Sequence, residues 1–164
     1  IREPARLDIL MWMAEMRRFG GKMVEEEDDP DANHVYRMLC EVADPPDVND
    51  LLDATQTRLV FLRQWQAFLA EYPVLLCPVS GELPFPDMLD VQSDESFRRC
   101  FEAQIIQIGL PFMGLPGLTV TTGREGTAPV GVQIIGGRYR EDVMIDAGRI
   151  VEAAGQPCTP SDPA

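Results

Sequence analysis

Few side chains in this 164-residue sequence could attack a bond or move a proton. The serines are Ser80, Ser93, Ser96 and Ser161, and the cysteines are Cys40, Cys77, Cys100 and Cys158; Lys22 is the only lysine and His34 the only histidine. A cysteine nucleophile needs an imidazole base, and His34 carries no motif that pairs it with a thiol. Residues 25–31 form an acidic run just before His34, which raises the question of a metal. Metal sites need convergent ligands at defined spacing, and this run has neither a calcium-loop pattern nor a second histidine. It reads as a solvated acidic loop, and His34 as a surface or helix-entry residue. Lys22 follows Gly20-Gly21 and precedes the acidic run, surroundings that favour the charged ammonium and a surface role. Gly136-Gly137 does not make a phosphate-cradling loop. These residues give no catalytic group, no metal and no other cofactor.

The elements that would position such groups are clearer than the groups themselves. Residues 110–155 read as strand, turn, strand and helix. Leu118-Thr119-Val120-Thr121 alternates as a half-buried strand does, and residues 123–129 hold two glycines and a proline, a hairpin signal. In Val130–Ile135 the apolar side chains fall on one face, with Gly131, Gln133 and Ile135 on the other. So little polar cover predicts a strand inside a sheet flanked by helices, ended by Gly136-Gly137. In the next helix Val143, Ala147, Ile150, Val151 and Ala154 form the apolar stripe. Glu141 and Asp142 suit its first turn, and Gly155 is expected as a left-handed terminator, followed by Pro157.

Upstream, residues 4–19 form an amphipathic helix built on Leu7, Leu10, Met11 and Ala14 and stopped by Gly20-Gly21. A short helix is expected over 33–42. The longest helix, 47–71, should bury Val48, Leu51, Leu52, Thr55, Leu59, Leu62, Trp65 and Leu69 and end at Tyr72-Pro73. Residues 74–77 read as a short buried strand and 78–86 as a proline-constrained loop. Ser93 or Asp94 caps a further helix. Phe97, Phe101, Ile105 and Ile108 should be its buried stripe, with Gly109 and Pro111 closing it.

Composition narrows the partners. A net charge of −13 argues against nucleic acid and against anionic membrane surfaces. No apolar run approaches the ~20 residues that span a bilayer, and no charged-then-apolar leader opens the chain. Scattered cysteines fit reduced thiols in the cytoplasm. The start at Ile1 suggests a cut inside a longer polypeptide.

Two blocks carry a family resemblance. Gly114-Leu115-Pro116-Gly117-Leu118-Thr119-Val120, followed by Pro129-Val130-Gly131-Val132-Gln133-Ile134-Ile135-Gly136, resembles the C-terminal part of the amidase signature family. Tyr72-Pro73-Val74-Leu75-Leu76-Cys77-Pro78-Val79 resembles an upstream strand and loop of that family, in the matching order. Cys77 stands where threonine is usual, Pro73 where aspartate is usual, Thr121 where proline is common and Pro111 where asparagine is common. The resemblance implies an α/β fold with a mixed β-sheet flanked by α-helices. It also implies one partial domain: a helical region over 1–46, an amidase-like sheet and helices over 47–155, and a frayed tail over 156–164.

Members of that family use a serine nucleophile, a second serine with a cis peptide bond, and a lysine as final base. No serine here lies in a Gly/Ser-rich nucleophile loop, and Lys22 does not match the family's lysine. The implied function is therefore that of a C-terminal segment of a hydrolase of carboxamide C–N bonds, inactive alone. It would supply scaffold and, through Cys77, Pro78 and Met113, part of the substrate pocket wall. Its expected partners are a small amide substrate in the full-length enzyme, and the missing N-terminal amidase region or a second copy of the chain. The alternative is a non-catalytic interaction module that dimerises or binds a partner subunit.

Overall fold

The computed structural model describes residues 1–126 and 128–155, so Cys158, Ser161 and the expected frayed tail lie outside the described residues. The chain forms two compact units, Ile1–Phe61 with Ser80–Met113, and Leu62–Val79 with Gly114–Ala164.

The first unit is helical. It contains α1 (Arg2–Glu15), α2 (Gly21–Glu27), α3 (Pro30–Val42), the first part of α4 (Val48–Glu71), α5 (Asp94–Ala103) and α6 (Ile105–Met113). Ile9, Met13, Met38, Leu39, Ala43 and Phe97 make its core. Gly20-Gly21 does not stop the first helix as expected. Both glycines keep right-handed helical angles, and a π-helical turn (Met16–Gly20) leads directly into α2. The acidic residues 25–27 are therefore helical rather than looped. A Cβ on Gly21 would meet the tip of the Tyr36 side chain, which packs against this position. The break comes at Asp28, with φ 54°. The Asp29 carboxylate then accepts from the Asp31 and Ala32 amides, and Pro30 takes the first helical position, starting α3 three residues earlier than the pattern suggested.

The helix capped by Ser93 differs in the same way. Ser93 caps α5 with a reciprocal Ser93–Ser96 box. Gln104 interrupts the helix, and α6 continues through Gly109 and Pro111 to Met113, with Gly114 at φ 63° beyond it. Gly109 is a close-approach residue rather than a terminator, since a Cβ would lie 2.7 Å from the Ile1 carbonyl oxygen. In α4 the buried positions are Ala54 and Leu69, while Val48, Leu52 and Leu59 of the expected stripe are exposed.

The second unit is a three-stranded antiparallel sheet in the order β1-β3-β2, with β1 at Val74–Pro78, β2 at Gly117–Glu125 and β3 at Ala128–Gly136. The α/β class holds, with β3 central as its apolar content required. All pairing among the described strands is antiparallel. The expected turn over 123–129 is mostly strand: β2 runs to Glu125 and β3 resumes at Ala128, with Gly126 at φ 59°. A register shift between Thr121 and Gly123 marks a β-bulge. As an edge strand, β1 is half-buried rather than buried. Helix α7 (Glu141–Ala154) covers one sheet face, where Val120, Ile134 and Met144 are buried with Val74, Leu118, Ala147 and Val151 packed around them. Its buried positions are Met144 and Gly148, whereas Ile150 and Ala154 of the expected stripe are exposed. Gly148 admits Leu118, whose Cδ2 would lie 2.7 Å from a Cβ. Gly155 is extended (φ −78°, ψ 174°), not left-handed.

Candidate functional site

Strand alternation decides which groups the sheet presents together. The register pairs Cys77 with Gln133, and Gln133 with Thr119. A thiol, an amide and a hydroxyl thus form one row across β1, β3 and β2, on the face opposite Leu76, Ile134 and Leu118. The Gln133 Oε1 atom is buried and has no hydrogen-bond partner among the described residues. An amide oxygen in that position is an acceptor awaiting a donor. Burial pushes the Cys77 thiol up from its ordinary pKa, which favours the neutral thiol over a thiolate nucleophile. Pro78 ends β1 opposite Val132 with its ring exposed, and its missing N–H suits the end of an edge strand.

Of the three residues expected to line a pocket, Cys77 and Pro78 are adjacent in the second unit. Met113 closes α6 in the first unit and has no accessible surface. Gln133 and Thr119 were not singled out from the sequence as site residues. The alternation of both strands carried the signal, but only the register places them beside Cys77.

The described serines and the lysine are engaged in structure, whereas His34 Nε2 is buried without a hydrogen-bond partner among the described residues. Ser93 and Ser96 bond each other and each other's backbone at the start of α5. Ser80 Oγ donates to the Ala103 carbonyl at 3.3 Å. Lys22 is 83% exposed and pairs with Glu26 at 3.2 Å, the surface role expected of it. His34 stands edge-on to Phe97, with Nδ1 3.3 Å from Arg37 and 4.0 Å from the Asp94 carboxylate. Burial raises the Cys100 thiol as well. No metal-binding cluster occurs among the described residues.

A family model described as Amidase matches residues 9–145. The chain belongs to the amidase family. It is similar to an indoleacetamide hydrolase of Bradyrhizobium japonicum, 36% identical over 107 residues that cover 65% of this chain and 23% of that protein. An indoleacetamide hydrolase of Bradyrhizobium diazoefficiens is 28% identical over 182 residues, covering 92% of this chain and 35% of that one. Among solved structures, a 6-aminohexanoate cyclic dimer hydrolase complexed with substrate aligns with a TM-score of 0.53 at 16% identity. It covers 73% of this chain and 27% of that chain. The chain therefore spans about a quarter to a third of the length of the curated amidase relatives it matches.

Proposed function

We propose that this chain is the C-terminal segment of an amidase-family hydrolase that converts a carboxamide to a carboxylic acid and ammonia. In that protein it is one partial domain, working in the cytoplasm and partnered by a preceding amidase region that brings the nucleophile and its base. The observation that carries this reading is the occupation of its own reactive groups. The described serines hold backbone and loop, Lys22 is a surface ion pair, and the Cys77 and Cys100 thiols are raised by burial. The segment's contribution is the sheet and, at its β1 end, Cys77 and Pro78 as pocket wall.

Ammonia release from a simple primary carboxamide tests this. The 164-residue chain alone should give no turnover above the buffer rate. Turnover by this chain that disappears on Lys22→Ala would overturn the reading.

The second reading, an interaction module, is favoured by one feature. Among the described strands β2 is an edge strand, and it borders, with the flank of α7, a cavity of about 820 Å³ lined by Thr119, Thr121, Ile145 and Arg149. Edge strands recruit partners. A stable dimer without amidase activity in any longer version of the protein would favour the module.

A further inference from the structure

The first unit contains a separate cavity of about 440 Å³, which uses none of the proposed wall residues. Its sides are aromatic: Trp12 of α1, Phe85 of the loop after β1, and Phe97 and Phe101 of α5. The Phe97 and Phe101 rings are stacked with centroids 6.0 Å apart. Cavities of this size hold small ligands when a few polar groups fix orientation among apolar walls. Here those groups are the Gln104 amide and the Asp90 carboxylate. Asp90 lies on a single 3-10 turn (Leu89–Val91), and its carboxylate makes no hydrogen bond or ion pair among the described residues. It is half-buried.

We infer that this cavity binds a small organic ammonium with an aromatic body, the cation pairing with Asp90 and the ring lying against Phe97 and Phe101. Three features favour a cation over a neutral or anionic ligand. Ring faces carry negative potential and attract cations, a half-buried carboxylate binds an ammonium through charge-assisted hydrogen bonds, and the chain's charge of −13 attracts cations from a distance. Trp12, 46% exposed at the rim, reports occupancy directly.

The test uses the whole 164-residue chain carrying Trp65→Phe, which leaves Trp12 as the only indole. Its fluorescence is titrated with 2-phenylethylammonium, 2-phenylethanol and 3-phenylpropionate, which share a ring but differ in charge. The ammonium should saturate the signal about tenfold more tightly than the alcohol, with the carboxylate weakest. Asp90→Asn should bring the ammonium down to the level of the alcohol and leave the alcohol unchanged. Equal affinity for all three probes, no saturation, or an Asp90→Asn variant that keeps the ammonium preference would each overturn the inference. If Asp90→Asn fails to fold, amide shift mapping of the unmutated chain decides. Ammonium-induced shifts confined to α5, residues 85–91 and the Trp12 region support the site, and shifts centred elsewhere overturn it.

Discussion

A Cβ on Gly131 would lie 2.4 Å from the Val120 carbonyl oxygen and 3.2 Å from Thr121 Cα. Both are backbone atoms of the neighbouring strand, so no rotamer change could relieve the clash. The contact sits where β2 bulges after Thr121, and the missing side chain is what lets the two backbones close there. Gly131→Ala should therefore destabilise the second unit by about 1–3 kcal/mol, seen as a lower urea midpoint with an unchanged slope. An unchanged midpoint would mean that the bulge gives way instead. Asp8 makes a different single-residue case. Burial in α1 raises its carboxyl pKa, and the opposing pull of Arg58 is the smaller effect. A folded-state pKa above the unfolded value contributes stability that is complete below the ordinary aspartate range and is lost as pH rises through the folded value. Asp8→Asn removes a charge the fold disfavours, so the variant should outlast the parent in urea at pH 7. That gap should close as the pH falls toward about 4. A variant weaker than the parent at pH 7 would show that the attraction to Arg58 outweighs burial.

At the scale of elements, α5 offers the most direct test. Its Ser93–Ser96 box satisfies the Ser96 and Ser93 amides at once. Ser93→Ala should cost about 1 kcal/mol, with faster amide exchange in the first turn of α5. Equal exchange in the two proteins would show that packing of Phe97 holds that turn without the cap. Elements with such local signals were legible in the sequence: the start of α5, the span of α4, the acidic first turn of α7, and β3 as the central strand. Two of the failures share one cause. Gly20-Gly21 and Gly109 read as helix breakers, yet Gly21 admits Tyr36 and Gly109 admits the chain at Ile1. A glycine chosen for contact looks the same in sequence as one chosen for termination. The apolar stripes of α4 and α7 were misassigned in part for a related reason: periodicity finds the apolar positions, and the partner's shape decides which are covered. In α7 the decisive position was Gly148, a residue that no hydrophobic count includes. The candidate row was legible to the same limited degree. Cys77 was singled out through a motif, but only the strand register puts Gln133 and Thr119 beside it.

Across the whole chain, 27 acidic residues face 14 basic ones. The described ion pairs, such as Arg99–Glu82, Arg98–Glu41 and Arg149–Asp146, join exposed side chains, and each such pair contributes little in water. The larger electrostatic effect is repulsion among the excess carboxylates, which opposes the compact state. At 0.01 M salt that repulsion reaches across ~30 Å, whereas at 0.15 M it is confined to ~8 Å. Thermal stability at pH 7 should therefore rise between those two salt concentrations, and a gain of ~1 kcal/mol would appear as ~2–4 °C in Tm. Salt also weakens the surface pairs, so the two contributions move in opposite directions. A Tm that falls with salt would mean that the pairs outweigh the repulsion. Salt could also drive self-association through the exposed Val48, Leu52 and Leu59 of α4, and this would raise Tm with protein concentration. The charge argument requires the same rise at every concentration.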